Sequence, residues 1–157
     1  GFMSKTVGEV MTPNPITVRP DTPLQDAIRL LAENRISGLP VLDDQDKLVG
    51  VISDTDLMWQ ESGIDTPPYV MLLDSIIYLQ NPARHERELH KALGQTVGEV
   101  MNDVPISILP TQTLREAAHL MNERKIRRLP VLNVDNRQLI GILTQGDIIR
   151  AMARGEA

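Results

Sequence analysis

Apolar positions recur with a helical period at two places along the chain. Leu24, Ala27, Ile28 and Leu31 fall at i, i+3, i+4 and i+7, and so do Leu114, Ala117, Ala118 and Met121. Each run predicts one amphipathic helix. Capping signals precede both: Thr22-Pro23-x-Gln25, with Pro23 at the first helical position, and Thr113-x-x-Glu116. Short β-prone runs flank each helix. Pro15–Val18 and Pro105–Ile108 come before it, and Leu39–Leu42 with Val49–Ile52, or Leu129–Leu132 with Ile140–Leu143, come after it. A polar turn joins each later pair, and a last helix starts after Ser53 and after Thr144. Thr6-x-x-Glu9 and Thr96-x-x-Glu99 read as capping boxes that open a short helical turn.

These parallels are one repeat. Thr6-Val-Gly-Glu-Val-Met11 returns letter for letter as Thr96–Met101, and residues 6–42 match 96–132 at 18 of 37 positions. After a one-residue slip in the polar turn, Leu48–Ser53 aligns with Leu139–Thr144 and Asp56 falls on Asp147. The expected class is α/β (α+β), built from two βαββα units. Three strands are too few to bury a core alone, so the copies are expected to pack on each other about a pseudo-twofold axis. Boundaries follow at 3–62 and 96–157, with 63–95 as a helical insert. Within the insert, Tyr69–Leu79 is apolar enough to be buried, and Asn81-Pro82 starts a further helix.

Composition narrows the chemistry. The chain has 157 residues, 41% apolar and 24% charged, as in a globular protein. Aromatics at 3% leave the core to Val, Ile, Leu, Met and Ala, and argue against base-stacking platforms for single-stranded nucleic acid. The absence of Cys excludes disulfides, thiolate metal sites and Cys nucleophiles. No stretch reads as membrane-spanning or as a secretory signal, so the expected location is cytoplasmic. Residues 1–57 carry net −4, 58–95 net −2 and 96–157 net +1, within a total of −5. An acidic chain is a poor partner for a phosphate polymer, so no nucleic-acid partner is expected.

Chemistry concentrates at Ser53-x-x-Asp56 and Thr144-x-x-Asp147, each where a strand gives way to a helix. A hydroxyl beside unpaired helix N–H groups suits a phosphate, and an Asp on the first turn suits a ribose diol. The other reading of both pairs is a helix cap. The copies differ nearby: the second has Arg127-Arg128 where the first has Ser37-Gly38, and the first adds Asp54 beside Ser53. Arg presents a fork of donors suited to phosphate. Alternatively, Arg124-Lys125-Arg127-Arg128 is a solvated helix end. His85 and His90 are five apart, the wrong spacing for a zincin pair, and His119 reads as helix surface. Phosphate-loop, dinucleotide and nucleophile-elbow motifs are missing, and no catalytic constellation is visible.

Val10-Met-Thr-x-x-Pro-Ile-Thr-Val18, Arg35-Ile-x-x-Leu-Pro-Val41 and Gly50-Val-Ile-Ser-Asp-Thr-Asp56, repeated in tandem, resemble a pair of CBS (cystathionine-β-synthase) domains, a Bateman module of the stand-alone bacterial type. The resemblance covers residues 6–62 and 96–153. It implies a regulatory rather than catalytic protein that binds AMP, ADP, ATP or S-adenosylmethionine in clefts between the copies, with AMP first among them and no cofactor required. Carried over, Arg127, Arg128, Thr144, Gly146 and Asp147 serve the sugar and phosphate. Ile16, Ile36, Ser37 and Gly38 cover the base, with Thr12 and Pro15 nearby. A second site uses Ser53, Thr55 and Asp56 with Ile106 and Ile126. The resemblance also implies a homodimer through the closing helices, apolar at Leu57, Met58, Ile148, Ile149 and Met152, and a separate regulated protein. The alternative function is a ligand-free dimeric scaffold.

Overall fold

The computed structural model describes residues 5–53, 69–72, 75–78, 94–101 and 106–155. The class is α+β, with small antiparallel sheets. Two compact units form, and neither is a contiguous repeat. The first comprises Gly1–Ile16, Asp44–Leu48 and Val104–Ala157; the second comprises Thr17–Asp43 and Val49–Asp103.

In the first unit, a short helix α1 (Val7–Val10) and strand β1 (Thr12–Pro13) come from the start of the chain. Far along the sequence come α4 (Leu114–Arg124), β6 (Arg128–Leu132), β7 (Leu139–Thr144) and α5 (Gln145–Ala153). The sheet order is β1-β7-β6, with Thr12 opposite Ile142 and Arg128 opposite Thr144. Val7, Ile108, Leu114, Ala117, Leu129, Val131 and Leu143 form its core. The opening arm docks on the segment that leads into α4. Val7 N–H donates to the Gln112 carbonyl at 2.8 Å, Gly8 N–H to Pro110 at 2.9 Å, and Leu114 N–H to Lys5 at 2.9 Å.

The second unit repeats this pattern with the other arm. It holds α2 (Leu24–Asn34), β2 (Gly38–Leu42), most of β3 (Leu48–Ser53), the β4–β5 pair (Tyr69–Leu72 and Ser75–Tyr78) and α3 (Val97–Val100). Val97 N–H donates to Thr22 and Gly98 N–H to Pro20, both at 2.8 Å, and Leu24 N–H to Gln95 at 2.8 Å. Val97 completes a core of Val18, Leu24, Ala27, Leu39, Val41 and Ile52. The identical Thr-Val-Gly-Glu-Val-Met segments are thus docking arms. Their glycines sit where a Cβ would come within 3.0 Å of Pro110 Cβ, or 3.1 Å of Pro20 Cβ, so close backbone approach requires Gly.

Several local expectations are corrected. Residues 69–72 and 75–78 are not a helical excursion: β4 and β5 pair antiparallel from Tyr69↔Tyr78 to Leu72↔Ser75. Their Tyr, Val and Ile content favours the pleated ladder. The helix expected from Asn81-Pro82 lies outside the described residues. Pro15–Val18 does not form a full strand, nor do residues 106–108, the described part of Pro105–Ile108. Each is reduced to one parallel bridge, Val18↔Val41 and Ile108↔Val131, because the facing Pro40 and Pro130 offer carbonyls but no N–H. Thr6 and Thr96 do not cap backbone; each hydroxyl donates instead to the Glu three residues on, at 3.1 Å. The N–H groups of Glu9 and Glu99, which a capping box would satisfy, bond instead to the backbone carbonyls of Thr6 and Thr96 at 3.2 and 3.1 Å. Pro23 is the N-cap, not the first helical residue, because its extended backbone bridges Thr96. Thr113 caps α4 as expected, accepting from Glu116 N–H at 3.1 Å.

Candidate functional site

A polar cluster around the buried Asp147 lies at the start of α5, within the first unit. Residues 144–147 run from the end of β7 into that helix, and Thr144 with Asp147 makes a reciprocal capping box. Asp147 N–H donates to the Thr144 hydroxyl, and Thr144 N–H donates to Asp147 Oδ2, both at 3.0 Å. The cap reading of this pair is therefore realised, and it leaves the other carboxylate oxygen for further partners.

Two residues take up that oxygen. The guanidinium of Arg150, one helical turn on, donates to Asp147 Oδ1 at 2.7 Å. Thr12, carried in by β1, donates its hydroxyl at 3.3 Å to Oδ1 and 3.4 Å to Oδ2. The Asp147 side chain is only 8% exposed, whereas that of Arg150 is 62% exposed. A charge buried this far needs such partners, since an unpaired carboxylate loses its hydration without replacement. Gly146 makes room for this arrangement: a Cβ there would lie 3.2 Å from Arg150 Nη1.

Other expected site residues fall around this cluster to different degrees. Arg128 opens β6, half-buried, directly opposite Thr144 in the ladder. The Arg127 carbonyl accepts from Gln145 N–H at 2.8 Å, while the residue itself lines a groove of about 600 Å³ between α4 and α5. Pro15 is half-buried and Ile16 is 37% exposed, both within the same unit. Ile106 and Ile126 are partly buried against the core of this unit, and Ile126 also lines the groove between α4 and α5. Ile36, Ser37 and Gly38 belong to the second unit, where Ile36 packs against the core, Ser37 is half-buried and Gly38 opens β2. Ser53 ends β3, and Thr55 and Asp56 lie outside the described residues.

Arg150 was not legible as a site residue. Its signal was an Asp-x-x-Arg spacing, a common pairing on helix surfaces that by itself marks nothing. His119 is on the surface of α4, 3.5 Å from Glu123, as its isolation in the sequence suggested. His85 and His90 lie outside the described residues. Among those described, no group of His, Asp and Glu is placed to hold a metal, and no helix is long and apolar enough to cross a membrane.

The tandem repeat, with Thr144 and Asp147 capping the closing helix of its second copy, fits the CBS domain, whose family model matches the chain twice, at residues 7–61 and 97–154. The chain belongs to the CBS-domain family, as a tandem pair. It is 39% identical over 150 residues to the chloroplastic CBS domain-containing protein CBSX2 of Arabidopsis thaliana, covering 93% of this chain and 63% of that one. The chain thus spans less than two thirds of the length of that relative, and the same holds for CBSX1. An uncharacterised protein of Methanocaldococcus jannaschii is 37% identical over 88% of this chain and 86% of its own. Among solved structures, CBSX2 in complex with AMP superposes with a TM-score of 0.67 at 37% identity, covering 98% of this chain and 99% of the other. A further CBSX2 structure gives a TM-score of 0.72 at 35% identity.

Proposed function

We propose that this protein is a regulatory module that binds an adenine nucleotide, AMP foremost, and passes its occupancy to a separate partner protein. The observation that carries the reading is the buried carboxylate of Asp147 at the N-terminus of α5, with Thr144 beside it and Arg128 across the ladder. The likeness to CBSX2, crystallised with AMP, supports the choice of ligand. Asp147 takes the ribose diol as acceptor, the N-terminal N–H groups of α5 with the Thr144 hydroxyl meet the phosphate, and Arg128 adds a cationic fork. Ile16, exposed in the same unit, supplies apolar surface for the base. Binding rather than catalysis is the role, in a compartment where free nucleotide is abundant, the cytoplasm by this reading.

The second reading is a ligand-free dimeric scaffold. It is favoured by one observation: every oxygen of Asp147 already has a protein partner. Calorimetry and thermal shift with AMP, ADP, ATP and S-adenosylmethionine separate the two. A ligand at a hundredfold excess over its Kd adds about 2.7 kcal/mol to stability. AMP raising Tm in a concentration-dependent way is the expected result. No heat and no Tm shift with any of the four would leave the scaffold.

A further inference from the structure

Arg150 lies where the proposed ligand would bind. Its guanidinium covers Asp147 Oδ1 at 2.7 Å and stands over Gly146, in the space that a side chain on that residue would fill. A cation at a helix N-terminus opposes the macrodipole, so Asp147 is what holds it there. The Arg150 side chain is 62% exposed, while the carboxylate it covers is 8% exposed. Thr144 N–H is fixed by the backbone and Thr12 by its strand, which makes Arg150 the partner that can leave.

We infer that Arg150 is an exchangeable latch that couples phosphate recognition to ribose recognition and so sets the preference for nucleotide over nucleoside. The inference rests on the adenine-nucleotide reading above. A phosphate arriving at the N-terminus of α5 draws the guanidinium off Asp147 and pairs with it, and the vacated oxygen accepts the ribose hydroxyls. A nucleoside brings the diol but no phosphate, so it must displace Arg150 with nothing to receive the cation. The device belongs to the second repeat. With Asp56 aligned on Asp147, the first copy has Thr55 where Gly146 stands and Trp59 where Arg150 stands.

The test is calorimetry of AMP and adenosine with the wild-type chain, Arg150→Ala and Arg150→Gln, the last keeping length without charge. Both variants are expected to bind adenosine at least threefold more tightly than wild type, and the ratio of AMP to adenosine affinity is expected to fall at least fivefold. Adenosine affinity that is unchanged or weaker in both variants overturns the latch, whatever happens to AMP. If the wild-type chain binds neither ligand, the adenine-nucleotide reading itself has failed, and the latch falls with it. Circular dichroism melts of each variant separate loss of fold from loss of the latch.

Discussion

The hydroxyl of Thr12 reaches the carboxylate of Asp147 at 3.3 Å across 135 positions of sequence. This contact ties the opening arm of the first repeat to the closing helix of the second. It exists because β1 pairs antiparallel with β7, which sets Thr12 opposite Ile142 and close to the N-terminus of α5. On the proposed function, a ligand at Asp147 would bear on the anchoring of the arm as well as on the helix.

Asp147→Ala is expected to weaken adenosine and AMP alike, because the diol is common to both. Calorimetry against both ligands checks it. If Asp56→Ala abolished binding and Asp147→Ala left it intact, the second-repeat site would be the wrong one.

Arg128→Ala should separate the ligands instead. A charge-assisted hydrogen bond to phosphate contributes roughly 1.5–3 kcal/mol, so AMP should lose about tenfold or more in affinity while adenosine is nearly unaffected. Equal loss for both ligands would place Arg128 outside the phosphate's reach.

Gly8→Ala and Gly98→Ala should each destabilise the fold by about 1–3 kcal/mol, the usual range for forcing atoms into a packed contact. The added Cβ meets the side chain and carbonyl oxygen of Pro110 or Pro20 at 3.0–3.2 Å, and the docked backbone cannot yield cheaply. Urea unfolding monitored by circular dichroism measures it. A change below about 0.5 kcal/mol in both variants would mean that the arms are not tightly held.

Self-association through the outer face of α5 is a prediction, not an observation. Ile149 and Met152 are 58% and 56% exposed there, beside the groove that Met121, Ile126 and Ile148 help to line. Sedimentation at micromolar concentration is expected to show a species near twice 17.5 kDa, reduced to the monomer by Ile149→Lys. A wild-type chain that sediments only as the monomer would overturn this prediction and the dimeric scaffold reading with it.

The amino-acid sequence alone is enough to read the repeat, the period of α2 and α4, and the hydroxyl and Asp that close each copy. These are local properties: an i, i+3, i+4, i+7 stripe or a Thr-x-x-Asp cap is encoded within a few residues of itself. It also carried the family, because the motifs keep their order and spacing. Which arm docks where is visible only in the folded chain. Thr6–Met11 and Thr96–Met101 are identical, and each meets a proline-led segment before a helix, so no local signal distinguishes docking on Pro110 from docking on Pro20. Each arm serves the unit that holds the other repeat's helix, and that choice belongs to the long-range path of the chain. The same limit applied at the site. That Asp147 caps α5 was written in its spacing from Thr144, but Arg150 and Thr12 share its other oxygen because a helical turn and a remote strand converge on one buried carboxylate.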